Sequence, residues 1–175
     1  MTTYASPRTL TVRLVITALF MGMTIALSSF GIPVPGGHLY LCDVTIVAAS
    51  ILLNPAEAFI ASGIGSFLGD LFFYPAPMFV SLAVHGIQAV IISLFSHHVL
   101  KSRPKAGSAI GVAIGAVIMV VGYTLGKIYI YSTYEYAVMK LPYEIAQAAV
   151  GAVLGSLIVW NFGIKRLFDR LTGNH

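Results

Sequence analysis

Charge is scarce in this sequence. Only 9% of its 175 residues are Asp, Glu, Lys or Arg, against about a quarter in a soluble domain. So few charges cannot cover a water-facing surface, and no separate soluble catalytic domain fits in the chain. Cysteine is reduced to Cys42, which excludes an intrachain disulfide and a cysteine-based zinc site. Tryptophan occurs once, and neither a low-complexity tract nor a clear repeat is present. What fills the chain instead is apolar: 58% of residues, in long runs from end to end. That pattern places the protein in the membrane class. The net charge of +4 is not a nucleic-acid signature, because the basic residues sit in short loops and at the termini, where membrane proteins keep their anchors.

Six spans are expected, over 10–30, 43–53, 56–73, 77–98, 109–131 and 142–162. The second is short for a hydrocarbon core about 30 Å thick. It follows Gly31-Ile32-Pro33-Val34-Pro35-Gly36-Gly37, which is turn-forming chemistry. That segment is expected to be a structured loop dipping into the protein, since unpaired backbone cannot face lipid. Arg8 and Arg13, then Lys101, Arg103 and Lys105, then Lys165, Arg166 and Arg170 fall on one side of six spans, which is cytoplasmic by the positive-inside rule. Segments 31–42, 74–76 and 132–141 then face outward with one basic residue, Lys140. Span 1 has the outline of a signal peptide, but its apolar stretch is too long for a typical h-region, so it is expected to stay. The fold class expected is an all-α integral membrane protein. It is a six-transmembrane-helix bundle in one domain, 1–175, with N and C termini cytoplasmic and a structured outer loop before the short second helix.

Ionisable groups inside a bilayer cost several kcal/mol and mark function. With that orientation, His38, Tyr40, Asp43, Asp70, Lys127, Glu144 and Gln147 all fall in the outer half, and His85 and Gln88 at mid-depth. The inner half is mostly Gly, Ala, Val, Ile and Leu. The asymmetry describes a polar pocket open to the outside and closed below. A channel or proton relay would carry polar groups through the full thickness. Spacing supports a pocket wall. Tyr123, Lys127, Tyr131 and Tyr134 share one helix face, as do Ser81, His85 and Gln88, and Glu144, Gln147 and Gly151. Aromatic faces with one ammonium, one carboxylate and an amide suit a small, flat, polar heteroaromatic ligand.

Structural readings of the same residues stand beside this one. Lys127 and Glu144 pair only with each other, or hold the ligand. Asp43 is the N-cap of span 2, or a site residue. His85 is a satisfied core histidine, or a ligand contact. Tyr131, Tyr134 and Tyr136 belong to an interfacial belt, or to the wall. His97, His98 and Trp160 read as residues of the inner interface, and 101–105 as a solvated cytoplasmic loop. Gly122-Tyr123-Thr124-Leu125-Gly126-Lys127-Ile128 resembles a P-loop only superficially: the Gly spacing is wrong, no Ser or Thr follows the Lys, and an apolar helix surrounds it. ATP-driven transport would therefore need partner chains. Ala18, Gly22 and Ala26 form a small-residue stripe on span 1, with Gly151 and Gly155 on span 6 and Gly63, Gly65 and Gly69 on span 3. Such stripes permit close helix approach. His38, Asp43 and Asp70 have no spacing that would define a metal site.

Together these residues resemble the substrate-binding S components of energy-coupling factor (ECF) vitamin transporters. Pro35-Gly36-Gly37-His38-Leu39-Tyr40-Leu41-Cys42-Asp43 resembles the family's Gly-rich first loop and its hydrophobic-His-hydrophobic-Gly-Asp element, with Cys42 where many relatives have Gly. Gly63-Ile64-Gly65-Ser66-Phe67-Leu68-Gly69-Asp70 resembles the Gly-rich third helix ending in Asp. Leu141-Pro142-Tyr143-Glu144-Ile145-Ala146-Gln147-Ala148-Ala149-Val150-Gly151 resembles the sixth-helix pattern of Pro, polar residue, Gln and Gly, where Glu144 departs from the usual Asn. Ala18-Leu19-Phe20-Met21-Gly22 resembles the AxxxA-like motif of helix 1.

The resemblance implies a membrane-embedded subunit that binds a vitamin outside the cell membrane. It then docks through helix 1 on a transmembrane coupling subunit carrying two ATPases, and topples to carry the pocket inward. It implies no enzyme activity of the chain's own and no cofactor. Within the family the chain looks most like members assigned to vitamin B6 forms and to hydroxymethylpyrimidine. Riboflavin needs a larger pocket, and pantothenate would use Lys127 but strand Glu144. The alternatives are an S component for another vitamin, riboflavin or pantothenate, and a stand-alone facilitator or channel.

Overall fold

A hydroxyl in an apolar helix must find an acceptor within it, because lipid offers none. Thr17, Thr24, Ser28, Ser50, Ser96, Ser108 and Thr124 each donate to the carbonyl four residues earlier. The long apolar runs thus close on themselves as helices. A computed structural model describes residues 7–35, 37–100 and 102–173. Gly36 of the outer segment and Lys101 of the basic loop lie outside them.

The helices are α1 (Pro7–Ser28), α2 (Cys42–Leu52), α3 (Pro55–Phe73), α4 (Met78–Val99), α5 (Pro104–Tyr131), α6 (Tyr134–Trp160) and α7 (Ile164–Thr172). Five of them, α1 and α3 to α6, are long and apolar enough to cross a membrane. The short α2 packs against α1, α4 and α6, and ten of its eleven residues are buried. It is held by protein, not lipid. Helix α3 lies against α1 and α4, and α5 between α4 and α6. Gly155 makes the α2–α6 contact possible, since a Cβ there would stand 2.7 Å from Val47 Cβ. Gly65 and Gly69 lie similarly close to Thr24 and Ser28 of α1. The largest core cluster joins Val47, Ile51, Leu52 and Leu53 to Ile92, Val112 and Val159, and it closes the half of the bundle below the polar groups.

Several boundaries differ from expectation. The outer segment is not only loop: β1 (Gly31–Val34) and β2 (Gly37–Tyr40) pair antiparallel, Gly31 opposite Tyr40, so among the described residues the fold is all-α but for one hairpin. Gly37 turns it with φ 135°, a region closed to most side chains. Asp43 is not an N-cap; Leu41 holds that position. Arg13 is not a terminal anchor but lies inside α1, bonded bidentately to Glu57 at 2.8 and 2.7 Å. Glu57 also closes a capping box with Asn54 at the start of α3. Helix α5 starts at Pro104, five residues early. Helix α6 starts at Tyr134 rather than Pro142, capped by the Thr133 hydroxyl, which accepts from the Tyr136 N–H at 3.3 Å. Pro142 is thus inside the helix and Lys140 is not in a loop. Tyr134 leaves the α5 face and is 63% exposed. The basic residues after α6 lie on an unforeseen helix, α7, entered through Gly163 at φ 78°.

Candidate functional site

At the hairpin end of the bundle the helices enclose a cavity of about 320 Å³. Nine of the eleven expected binding residues line it: His38, Tyr40, Asp70, His85, Tyr123, Lys127, Tyr131, Glu144 and Gln147. The other two, Asp43 and Gln88, sit behind the wall and orient it. Gln147 Nε2 donates to Asp43 Oδ2 at 2.6 Å, and Gln147 Oε1 accepts the Tyr40 N–H at 2.9 Å. Gln88 Oε1 accepts from His85 Nδ1 at 2.8 Å, and the same nitrogen lies 4.0 Å from Asp43 Oδ1. His85 is therefore a satisfied core histidine and also a lining residue, 5.3 Å from the Tyr123 ring between centroids.

Lys127 and Glu144 form an ion pair inside the cavity wall. The second Glu144 oxygen accepts weakly from Thr124 at 3.5 Å. Lys127 Nζ stands 5.2 Å from the Tyr123 ring centroid and 5.8 Å from that of Tyr131, within reach of the quadrupole of both faces. A wide π-helical turn over Lys127–Tyr131 ends α5 here, and such turns recur at functional sites. Beside this pair Ser81 of α4 bridges Asp70 of α3 and Tyr123 of α5, donating to the carboxylate and standing 2.5 Å from the phenol. The cavity lining thus offers a paired ammonium and carboxylate, a second carboxylate at Asp70 and the Tyr123 phenol, with Ser81 linking the last two from behind.

The hairpin roofs this space. Lys140 Nζ donates to the His38 carbonyl at 2.8 Å, so hairpin and α6 are joined at Lys140 and at Gln147. The Tyr40 phenol is raised above its ordinary pKa, by burial and then by the Asp70 charge, and remains a neutral donor. Sequence reasoning missed Lys140, Tyr143, Tyr74 and Ser66 and left Tyr136 between an interfacial belt and the wall; all five line the cavity. A signal existed for two of them: Tyr136, Lys140, Glu144 and Gln147 lie on one helix face once α6 is extended through Pro142. Among the described residues no three His, Cys, Asp or Glu side chains are grouped to hold a metal. The stripe of Ala18, Gly22 and Ala26 lies apart, exposed on α1, with nothing within 4 Å of a Cβ at Gly22.

Two comparisons bear on this geometry. An uncharacterized protein in the gap 3′ region of Pyrococcus woesei is 30% identical over 134 residues, covering 76% of this chain and 87% of that protein. Residues 8–163 match the family described as "ECF-type riboflavin transporter, S component". Proteins of that family are substrate-binding subunits of multi-pass membrane transporters, with ATP hydrolysis in partner subunits. The match spans nearly all of the chain, and this membrane protein, not itself an enzyme, belongs to the family of ECF-type transporter S components.

Proposed function

We propose that the chain is the high-affinity binding subunit of an ATP-driven importer. Its cavity takes a small flat heteroaromatic vitamin from outside, a vitamin B6 form or hydroxymethylpyrimidine. The observation that carries this reading is the Lys127–Glu144 pair, set between the Tyr123 and Tyr131 rings and facing a cavity of about 320 Å³. Rings stack a planar ligand. The ammonium favours a phenolate or ring acceptor, and the carboxylates of Glu144 and Asp70 favour a pyridinium N–H or an amino group. A second reading, riboflavin, is favoured by the description of the matched family.

The proposed topology is six crossings, with the buried α2 as the short one, both termini cytoplasmic and the hairpin outward. The distribution of Lys and Arg supports it. The hairpin is the lid. A transmembrane coupling subunit with two ATPases docks on α1 at Ala18, Gly22 and Ala26, whose exposure supports that role.

Mass spectrometry of the small molecule that copurifies with the chain tests the substrate. Calorimetry with pyridoxine, pyridoxal, hydroxymethylpyrimidine and riboflavin follows. Submicromolar binding of a B6 form or hydroxymethylpyrimidine is expected. Tight binding of riboflavin alone selects the second reading, and binding of none removes the vitamin assignment.

A further inference from the structure

At the end of the bundle away from the hairpin, a second cavity of about 340 Å³ lies where α2 and α4 end, α5 begins and α7 folds back beneath α6. Ser96, His97, Ser108, Trp160, Lys165 and Asp169 line it. Two of its polar atoms, His97 Nε2 and Trp160 Nε1, are buried without a partner. The other polar groups are engaged. The Ile51 backbone lies beside the His97 ring. The Ser96 and Ser108 hydroxyls donate to carbonyls of their own helices. Lys165 bonds Asp169 at 2.5 Å, which neutralises the one carboxylate in the lining. Lys105 Nζ stands 5.8 Å from the centroid of the Trp160 ring.

These atoms specify an occupant. An indole N–H only donates. An imidazole that carries its proton on Nδ1 presents Nε2 as an acceptor. The occupant must accept from Trp160, donate to His97 and carry negative charge between the ammonium groups of Lys105 and Lys165. A phosphate ester with an adjoining hydroxyl meets all three demands.

Helix α7 indicates where such a group comes from. Phe168 and Thr172 are buried on the bundle, Leu167 and Leu171 are each 52% exposed, and Arg166 and Arg170 are exposed beside them. Phe162, just before α7, is 76% exposed. A helix with a protein face, an apolar face and a basic face lies in the membrane interface and is drawn to anionic lipid. Basic pockets between membrane helices hold phospholipid headgroups.

We propose that this cavity binds the headgroup of an anionic phospholipid of the phosphatidylglycerol type. The phosphate lies between Trp160 Nε1, Lys105 and Lys165, a headgroup hydroxyl donates to His97 Nε2, and the acyl chains run beside Leu167 and Leu171. The proposal does not depend on which vitamin the other cavity takes.

Trp160 is the sole tryptophan, so intrinsic fluorescence reads this site directly. The full chain in phosphatidylcholine nanodiscs is titrated with phosphatidylglycerol, and separately with free glycerol phosphate. The expected result is a saturating change in Trp160 emission with phosphatidylglycerol and none with free glycerol phosphate, with one phosphatidylglycerol retained in native mass spectrometry. Lys105→Gln, at an exposed position, raises the half-saturating lipid fraction about five-fold, and Ser108→Leu abolishes the response by filling the cavity. Identical emission in the two lipids overturns the proposal. So does saturation by free glycerol phosphate with no further change from the lipid, or a response that Lys105→Gln leaves unaltered.

Discussion

Gly151 of α6 faces Asp43 of α2 so closely that a Cβ on the glycine would stand 2.5 Å from Asp43 Cβ. One turn earlier on α6, Gln147 holds Asp43 Oδ2 at 2.6 Å and the hairpin N–H of Tyr40 at 2.9 Å. The missing side chain therefore fixes helix separation and the orientation of a cavity-lining amide together. Gly151→Ala is expected to destabilise the protein by about 1–3 kcal/mol, as overpacking does, and to lower vitamin affinity with it. Thermal unfolding and calorimetry on the one variant check both. A normal melting temperature would show that α2 and α6 can separate without cost.

The Lys127–Glu144 pair is set up for a three-variant comparison. Each side chain is under a tenth exposed. Lys127→Met or Glu144→Gln alone strands the other charge and is expected to cost about 3–5 kcal/mol of stability. The double variant strands neither and should recover most of that loss. Vitamin affinity separates a ligand contact from a purely structural pair. If either group bonds the ligand, the double variant stays weak by about 1.5–3 kcal/mol. If its affinity returns with its stability, the pair is structural only.

How far the site could be read in advance depended on helix phase. The faces of α4 and α5 were legible, because Ser81, His85 and Gln88, and Tyr123, Lys127 and Tyr131, keep helical spacing within uninterrupted apolar runs. Depth behind the face was not legible. Periodicity says which way Asp43 and Gln88 point, but not that Gln147 and His85 stand between them and the cavity. The start of α6 misled for a different reason. A proline inside a helix costs about 3 kcal/mol, so Pro142 reads best as a first turn. In the fold, Lys140 reaches the His38 carbonyl from that upstream turn, and the Thr133 cap adds its own bond. Both are tertiary or boundary effects that local propensity does not contain. The orphaned nitrogens of His97 and Trp160 belong to the same class, since burial without a partner is visible only once neighbours are known.

The hairpin is tied to α6 by Lys140 to His38 O at 2.8 Å and by Tyr40 N–H to Gln147 at 2.9 Å. A hairpin held by two such bonds is expected to open locally with little disturbance of the bundle. Bound vitamin is expected to slow amide exchange at residues 37–40, and Lys140→Met to speed it in the free protein. Equal exchange with and without ligand would make the hairpin a connector.

Helix α1 is the place where binding and transport are expected to separate. Its buried side, Thr17, Thr24 and Ser28, meets the bundle, while Ala18, Gly22 and Ala26 are exposed. A Cβ at Gly22 meets nothing within 4 Å, so a larger side chain there disturbs no packing inside this chain. Association of helices in lipid gains no hydrophobic drive and relies on close backbone approach, which a leucine at this position prevents. Gly22→Leu is therefore expected to leave stability and vitamin affinity of the isolated chain unchanged, within about 0.5 kcal/mol as for surface substitutions generally, and to abolish uptake in cells that carry the coupling subunit and ATPases. Affinity and uptake are read on the same variant. Loss of both would mean that α1 supports the cavity, and retention of both would place the docking face on another helix. Intact binding with lost uptake is the one outcome that assigns the stripe to the coupling subunit.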